Sequence, residues 1–190
     1  MYDLSLGAND ISDLSPLSGA VHMQRLNLYG NRIADCSPLQ SMQSLSWLAL
    51  NENQLADLRP LSALPALTTL ILAHNAIYDI VPIAANASLV SLNLSNNYIL
   101  DVSPLTALTQ LETLDLSANI RLKDLSALAN LTSLQELGLA YLESCDYTQV
   151  FAIPALRSVT FGANQAENSD GDFARVIEQL QSNGILVLFQ

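Results

Sequence analysis

Seven aspartates, Asp13, Asp35, Asp57, Asp79, Asp101, Asp124 and Asp146, recur almost evenly: the first five are 22 residues apart, and the last two follow a one-residue slip. Stacked one per turn of a regular array, their carboxylates would lie roughly 4.8 Å apart, which hard cations such as calcium favour. Calcium sites, however, draw several ligands from one loop with glycine at its sharp turn, and each interval here offers one aspartate. The column is therefore read as structural, each carboxylate accepting backbone N–H groups of a turn. The two histidines, His22 and His74, are about two intervals apart, or ~10 Å, too far to share a metal or a triad. His22 falls on a connecting arm beside Met23 as an exposed filler, and His74 lies at the lip of a turn. The seven glycines are scattered, so no phosphate-binding loop forms. Cys36 and Cys145 show no metal-ligand spacing and fall roughly 24 Å apart, beyond the ~7 Å reach of a disulfide, and are read as free thiols. Three Asn-x-Ser/Thr triplets, at Asn86, Asn93 and Asn130, are what chance produces in a Ser/Thr-rich repeat. These readings leave no catalytic constellation, no metal site and no cofactor.

The chain of 190 residues carries 7 Lys+Arg against 18 Asp+Glu, a formal net charge of -11, and Lys123 is its one lysine. Phosphate backbones and anionic membrane surfaces both demand the opposite sign, so neither nucleic acid nor membrane is an expected partner. No apolar run approaches the ~18 residues of a membrane span. The start, Met1-Tyr2-Asp3-Leu4, has neither the basic region nor the apolar run of a signal peptide.

The same beat governs other columns. Pro16, Pro38, Pro60, Pro82 and Pro104 are each 22 apart, as are Asn9, Asn31, Asn53, Asn75, Asn97 and Asn119. The unit reads LxxLxxLxLxxNxIxDxxPL, as in Leu64, Leu67, Leu70, Leu72, Asn75, Ile77, Asp79 and Pro82. It resembles the leucine-rich repeat family in its short 22-residue class, found in internalin-type bacterial surface proteins and in leucine-rich regulatory subunits of protein phosphatases. The wording "LTALTQLETLDLSAN" at 105–119 and "LANLTSLQELGLA" at 128–140 is close to the internalin type. The resemblance covers residues 1 to about 165, some seven to eight rungs.

Physics supplies the matching architecture. The LxL pair points inward from a short parallel strand, and the other leucines point inward from a return arm, so each rung is half of a core that its neighbours complete. The asparagine is expected to bond the rungs above and below. The Ser-Pro-Leu triplets at Ser15, Ser37 and Ser103 resemble a serine N-cap with proline at the first helical position. The fold class is thus an α/β solenoid: a right-handed superhelix with a parallel concave sheet, short 3₁₀ or turn segments on the convex side and a C-terminal helix-strand cap. Residues 1–168 form the repeats and 169–190 the cap.

Irregularities have their own meaning. One extra residue near Ile120-Arg121-Leu122-Lys123 predicts a bulge. In the seventh rung the asparagine place is Leu142 and the proline place Gln149, and register returns at Asn164. After the punctuation Ser169-Asp170-Gly171-Asp172, the 3-4-3 spacing of Phe173, Val176, Ile177 and Leu180 predicts an amphipathic helix ended by Asn183-Gly184. Ile185 to Phe189 reads as a final strand. The chain starts directly on Leu4-x-Leu6, so an upstream cap or further repeats are expected, and the bare edge invites self-association.

With chemistry excluded, the concave surface remains. Its large residues gather on rungs two to four: Arg25, Tyr29, Trp47 and Ile71, with His74 at the lip. Trp, Tyr and Arg dominate interface energetics. Arg25 and Trp47 share a column on adjacent strands and are expected to stack, while Ala49 leaves a shallow step beside Trp47. The resemblance implies a non-catalytic module binding a protein partner, on the bacterial surface or secreted, and the net charge of -11 favours a partner with a basic surface. The alternatives are a cytoplasmic regulatory subunit of an enzyme and a targeting domain of a longer secreted effector enzyme.

Overall fold

A computed structural model describes residues 2–167 and 171–190 of the chain, so the expected boundary at 168/169 and the Ser169-Asp170 punctuation lie outside the described residues. Three-residue strands recur once per rung: β1 (Asp3–Ser5), β2 (Arg25–Asn27), β3 (Trp47–Ala49), β4 (Thr69–Ile71), β5 (Ser91–Asn93), β6 (Thr113–Asp115) and β7 (Glu136–Gly138). Two four-residue strands follow, β8 (Ser158–Phe161) and β9 (Leu186–Phe189). All pair in parallel in the order of the sequence, and the register advances by the repeat: Leu26 sits beside Leu48, Leu48 beside Leu70 and Leu70 beside Leu92. The return arms are single 3₁₀ segments such as Arg59–Ala63 and Ser103–Ala107. The protein is an α/β solenoid with its core between sheet and arms, where Leu48, Leu61, Leu64, Leu67, Leu70 and Leu72 are fully buried.

The asparagine ladder runs one way. Asn97 donates from Nδ2 to the carbonyls of Leu94 (3.0 Å) and Ser95 (3.1 Å) in its own turn and of Leu72 (3.0 Å) in the preceding rung. Its Oδ1 accepts the Ile77 N–H, 3.1 Å away, also in the preceding rung. Asn31, Asn53 and Asn75 repeat the pattern. The expectation of bonds to rungs above and below is thus corrected: the amide ties its own loop to the rung before it. Leu142 cannot do this, and Gln165 of the next rung substitutes, its Nε2 donating to Leu139 O at 3.3 Å and its Oε1 accepting from Tyr141 N at 3.1 Å.

The serine caps are also corrected. Each 3₁₀ segment lacking a side-chain cap, as at Leu14 and Val102, follows an aspartate that accepts the N–H two residues on. These bonds measure 2.8 Å from Ser15 N to Asp13 and 2.9 Å from Val81 N to Asp79, while in the last segment Asp146 is itself the capping residue and accepts from Thr148 N at 3.0 Å. The serine hydroxyl is a donor here, as Ser15 Oγ to Asp13 Oδ2 at 2.9 Å shows. The backbone and hydroxyl bonds from Ser15 hold the Asp13 carboxyl below the usual aspartate range, and the Arg59 guanidinium does the same for Asp57.

Asn86 occupies the place that Leu64 and Leu108 fill in neighbouring rungs, and is fully buried. Its Nδ2 donates to Leu61 O and Leu64 O at 3.0 and 2.9 Å, but its Oδ1 has no partner. Both carbonyls already accept a backbone N–H, from Leu64 and Leu67 respectively. Removing the amide thus leaves neither carbonyl without a donor, and it removes the buried oxygen whose desolvation is uncompensated. Asn86→Leu is therefore expected to stabilise the protein by about 1 kcal/mol, seen as a raised urea midpoint at unchanged slope. A lowered midpoint would contradict this account of the site.

The last rung is closed by α1 (Ala163–Glu167) and α2 (Gly171–Ser182), and β9 adds to the sheet beyond β8. Phe173, Val176 and Leu180 bury the inner face of α2, and Gly184, at φ +77°, turns the chain back into β9. Among the described residues no helix is long and apolar enough to cross a membrane.

Candidate partner-binding surface

The strand register lines up Asp3, Arg25, Trp47 and Thr69 as one outward row across β1 to β4. The Arg25 guanidinium lies 4.7 Å from the centroid of the Trp47 ring, a cation–π stack worth about 0.5–1 kcal/mol at an exposed site. Asp3 approaches the same guanidinium from the other side, Oδ2 to Nε 3.6 Å. Arg25 thereby lies between an anion and an aromatic face.

The other expected residues are less closely gathered. Tyr29 leans toward the first rung: its ring fills the space that a Cβ at Gly7 would take, so it lies over that glycine and away from Trp47. Ile71 stands beside Ala49 in the next outward row, one strand over from Trp47. The shallow step is corrected, because Ala49 is only 3 % exposed and its methyl is covered between larger neighbours. His74 is exposed at the lip, with φ +55°. That conformation is a column of its own: Ala8, Gly30, Glu52, His74, Asn96, Ala118 and Tyr141 all have φ between 52° and 62°. The presence of Gly30 and Asn96, both tolerant of left-handed backbone, was the available signal for it.

Further along the concave side a shallow cavity of about 400 Å³ lies over β5 to β9, with Asp115, Glu136, Leu186 and Leu188 among its lining. A second exposed row went unread in the sequence. Tyr78, Tyr98 and Leu100, on the flank just after the asparagine turns, are 67 %, 61 % and 54 % exposed. They flank the inward Ile77 and Ile99, so the alternation of an extended segment turns them out. Among the described residues no group of three His, Cys, Asp or Glu side chains could hold a metal ion. Burial pushes both thiols up to about 12, helped at Cys36 by Asp35 and at Cys145 by Asp146 and Asp124, so neither is a reactive nucleophile.

The profile of leucine-rich repeats in two copies matches residues 87–130. The crystal structure of internalin C2 from Listeria monocytogenes superposes with a TM-score of 0.80 at 34 % identity, covering 85 % of this chain and 71 % of that one. The chain belongs to the internalin-like leucine-rich repeat family. The internalin inlF from the same organism is 28 % identical over the whole of this chain and 61 % of its own, with a TM-score of 0.78. A leucine-rich repeat protein of Leptospira interrogans, 21 % identical with a TM-score of 0.72, shares the fold over 98 % of this chain and 42 % of its own. No curated protein sequence gives a significant match. Internalin-like repeats are protein-interaction modules, typically without enzymatic activity.

Proposed function

We propose that this internalin-like solenoid is a non-catalytic recognition module that binds a protein partner through the N-terminal half of its concave face. The observation that carries the reading is the Asp3–Arg25–Trp47 row, a preorganised aromatic-and-guanidinium contact on the open side of the sheet. An indole stacked on a neighbouring guanidinium gives up less side-chain freedom when a partner covers it than a lone one does. Tyr29, Ile71 and His74 extend the contact around that centre. The net charge of -11 favours a partner with a basic surface and makes association faster at low salt.

Trp47→Ala is expected to weaken partner binding roughly thirtyfold, the loss of a central hot spot of ~2 kcal/mol. The fold should be untouched, because Trp47 stands on the face opposite Leu48. The check is capture of the native partner, or of proteins from extracts of the source or host cell, by wild type and variant side by side. Equal capture at an unchanged melting temperature would move the site off this row.

A further inference from the structure

Two departures from the repeat meet at one place. The residue inserted after Asn119 is accommodated by a tight turn in which Leu122 N donates to Asn119 O at 2.9 Å, and Ile120 is left 49 % exposed. One rung later Leu142 stands where an asparagine would hold the loop against its neighbour. Beside these departures a cleft of about 740 Å³ lies between residues 141–148 and the start of α2, with Tyr147 packed on Phe173 at one side of it. Its volume lies within the ~300–1,000 Å³ range of small-ligand sites.

The lining divides by chemistry. Ile120, Tyr141, Phe173 and Val176 give it apolar walls. Glu143, Asp146 and Asp172 place three carboxylates on it, and among the described residues no lysine or arginine lines it. Asp146 is committed to the turn, accepting from Thr148 N and Oγ1 at 3.0 and 2.6 Å, and Asp172 pairs with Arg175 at 2.9 Å. Glu143 has no ion-pair or hydrogen-bond partner among the described residues. An anion would be repelled here, and a neutral apolar ligand would cover an uncompensated carboxylate. A cation carried on an apolar body satisfies both halves.

We propose that this cleft is a binding site for a small organic ammonium ion with an aryl or alkyl body, the body against Phe173 and Ile120 and the ammonium at Glu143. The site is independent of the Arg25–Trp47 row. Its test is a titration of the isotopically labelled protein, followed by amide chemical shifts, with 2-phenylethylammonium, 2-phenylethanol and 3-phenylpropionate. The ammonium should move the signals of Tyr141, Cys145 and Val176, bind roughly tenfold more tightly than the alcohol, and leave the carboxylate without measurable binding. Glu143→Gln, at an exposed position that leaves the fold intact, should weaken the ammonium roughly three- to tenfold and leave the alcohol unchanged. Trp47→Ala should change nothing. Equal affinity for the three probes, undiminished binding by Glu143→Gln, or shifts confined to the concave strands would overturn the proposal. So would binding of a blocked Phe-Arg dipeptide with none of the free amine, because the site would then belong to a polypeptide.

Discussion

Asn97→Ala is expected to cost about 3 kcal/mol, although the substitution removes only one carboxamide. The side chain is 4 % exposed and makes four hydrogen bonds at 3.0–3.1 Å. Their losses are unequal. Leu72 O keeps Asn75 as a donor at 3.0 Å, and Leu94 O keeps Asn119 at 3.0 Å. The Ile77 N–H keeps nothing, and a buried unpaired donor costs about 1–3 kcal/mol beyond the lost bonds and the small void. Asn97→Asp separates this from simple loss of volume. It retains the acceptor for Ile77 but turns a buried anion toward the carbonyls of Leu72 and Leu94, and should destabilise more than alanine does. Urea unfolding of both variants reads the order directly; an aspartate variant as stable as wild type would remove the ladder from the account.

Phe161→Ala should be costlier still, about 3–5 kcal/mol, and should act locally first. Phe161 is fully buried and makes edge contacts with Tyr147 at 5.3 Å and Phe173 at 5.1 Å between ring centroids, and Tyr147 meets Phe173 at 5.3 Å. This trio joins the last 3₁₀ segment, β8 and α2. In a solenoid each rung contacts only its neighbours, so loss of the seam loosens the C-terminal end before the rest. The single tryptophan, Trp47, lies in the third rung and reports on the other end. Far-UV circular dichroism and Trp47 fluorescence should therefore give separate urea transitions for Phe161→Ala. Coincident transitions would mean that the cap and the repeats unfold as one body.

Much of this was legible in the sequence because the period itself is structural. A 22-residue advance places Leu26, Leu48 and Leu70 in one buried row, and the same arithmetic places Arg25 beside Trp47. What periodicity cannot express is direction and space. The column Asn31 to Asn119 announced a buried amide but not that it reaches backward, since that depends on the left-handed residue preceding each asparagine. Ser15 and Ser37 looked like caps because their hydroxyls suit that role, yet Asp13 and Asp35 stand closer to the free N–H groups. Ala49 was outward by alternation and still buried, because covering depends on how far its neighbours extend. The cleft beside α2 arises where a helix docks on an irregular rung, and no repeat position encodes that contact.

A protein partner held on the concave side around Arg25 and Trp47, as proposed, would lie within reach of the neighbouring strand. Site-specific photocrosslinking tests it most directly, with a benzophenone amino acid placed in turn at Thr69 in the concave row, at Tyr98 on the exposed flank and at Ser62 on the convex side. One discrete crosslinked partner is expected from Thr69, lost when Trp47→Ala is added, and none from Tyr98 or Ser62. A partner captured from Tyr98 or Ser62 but not from Thr69 would contradict it.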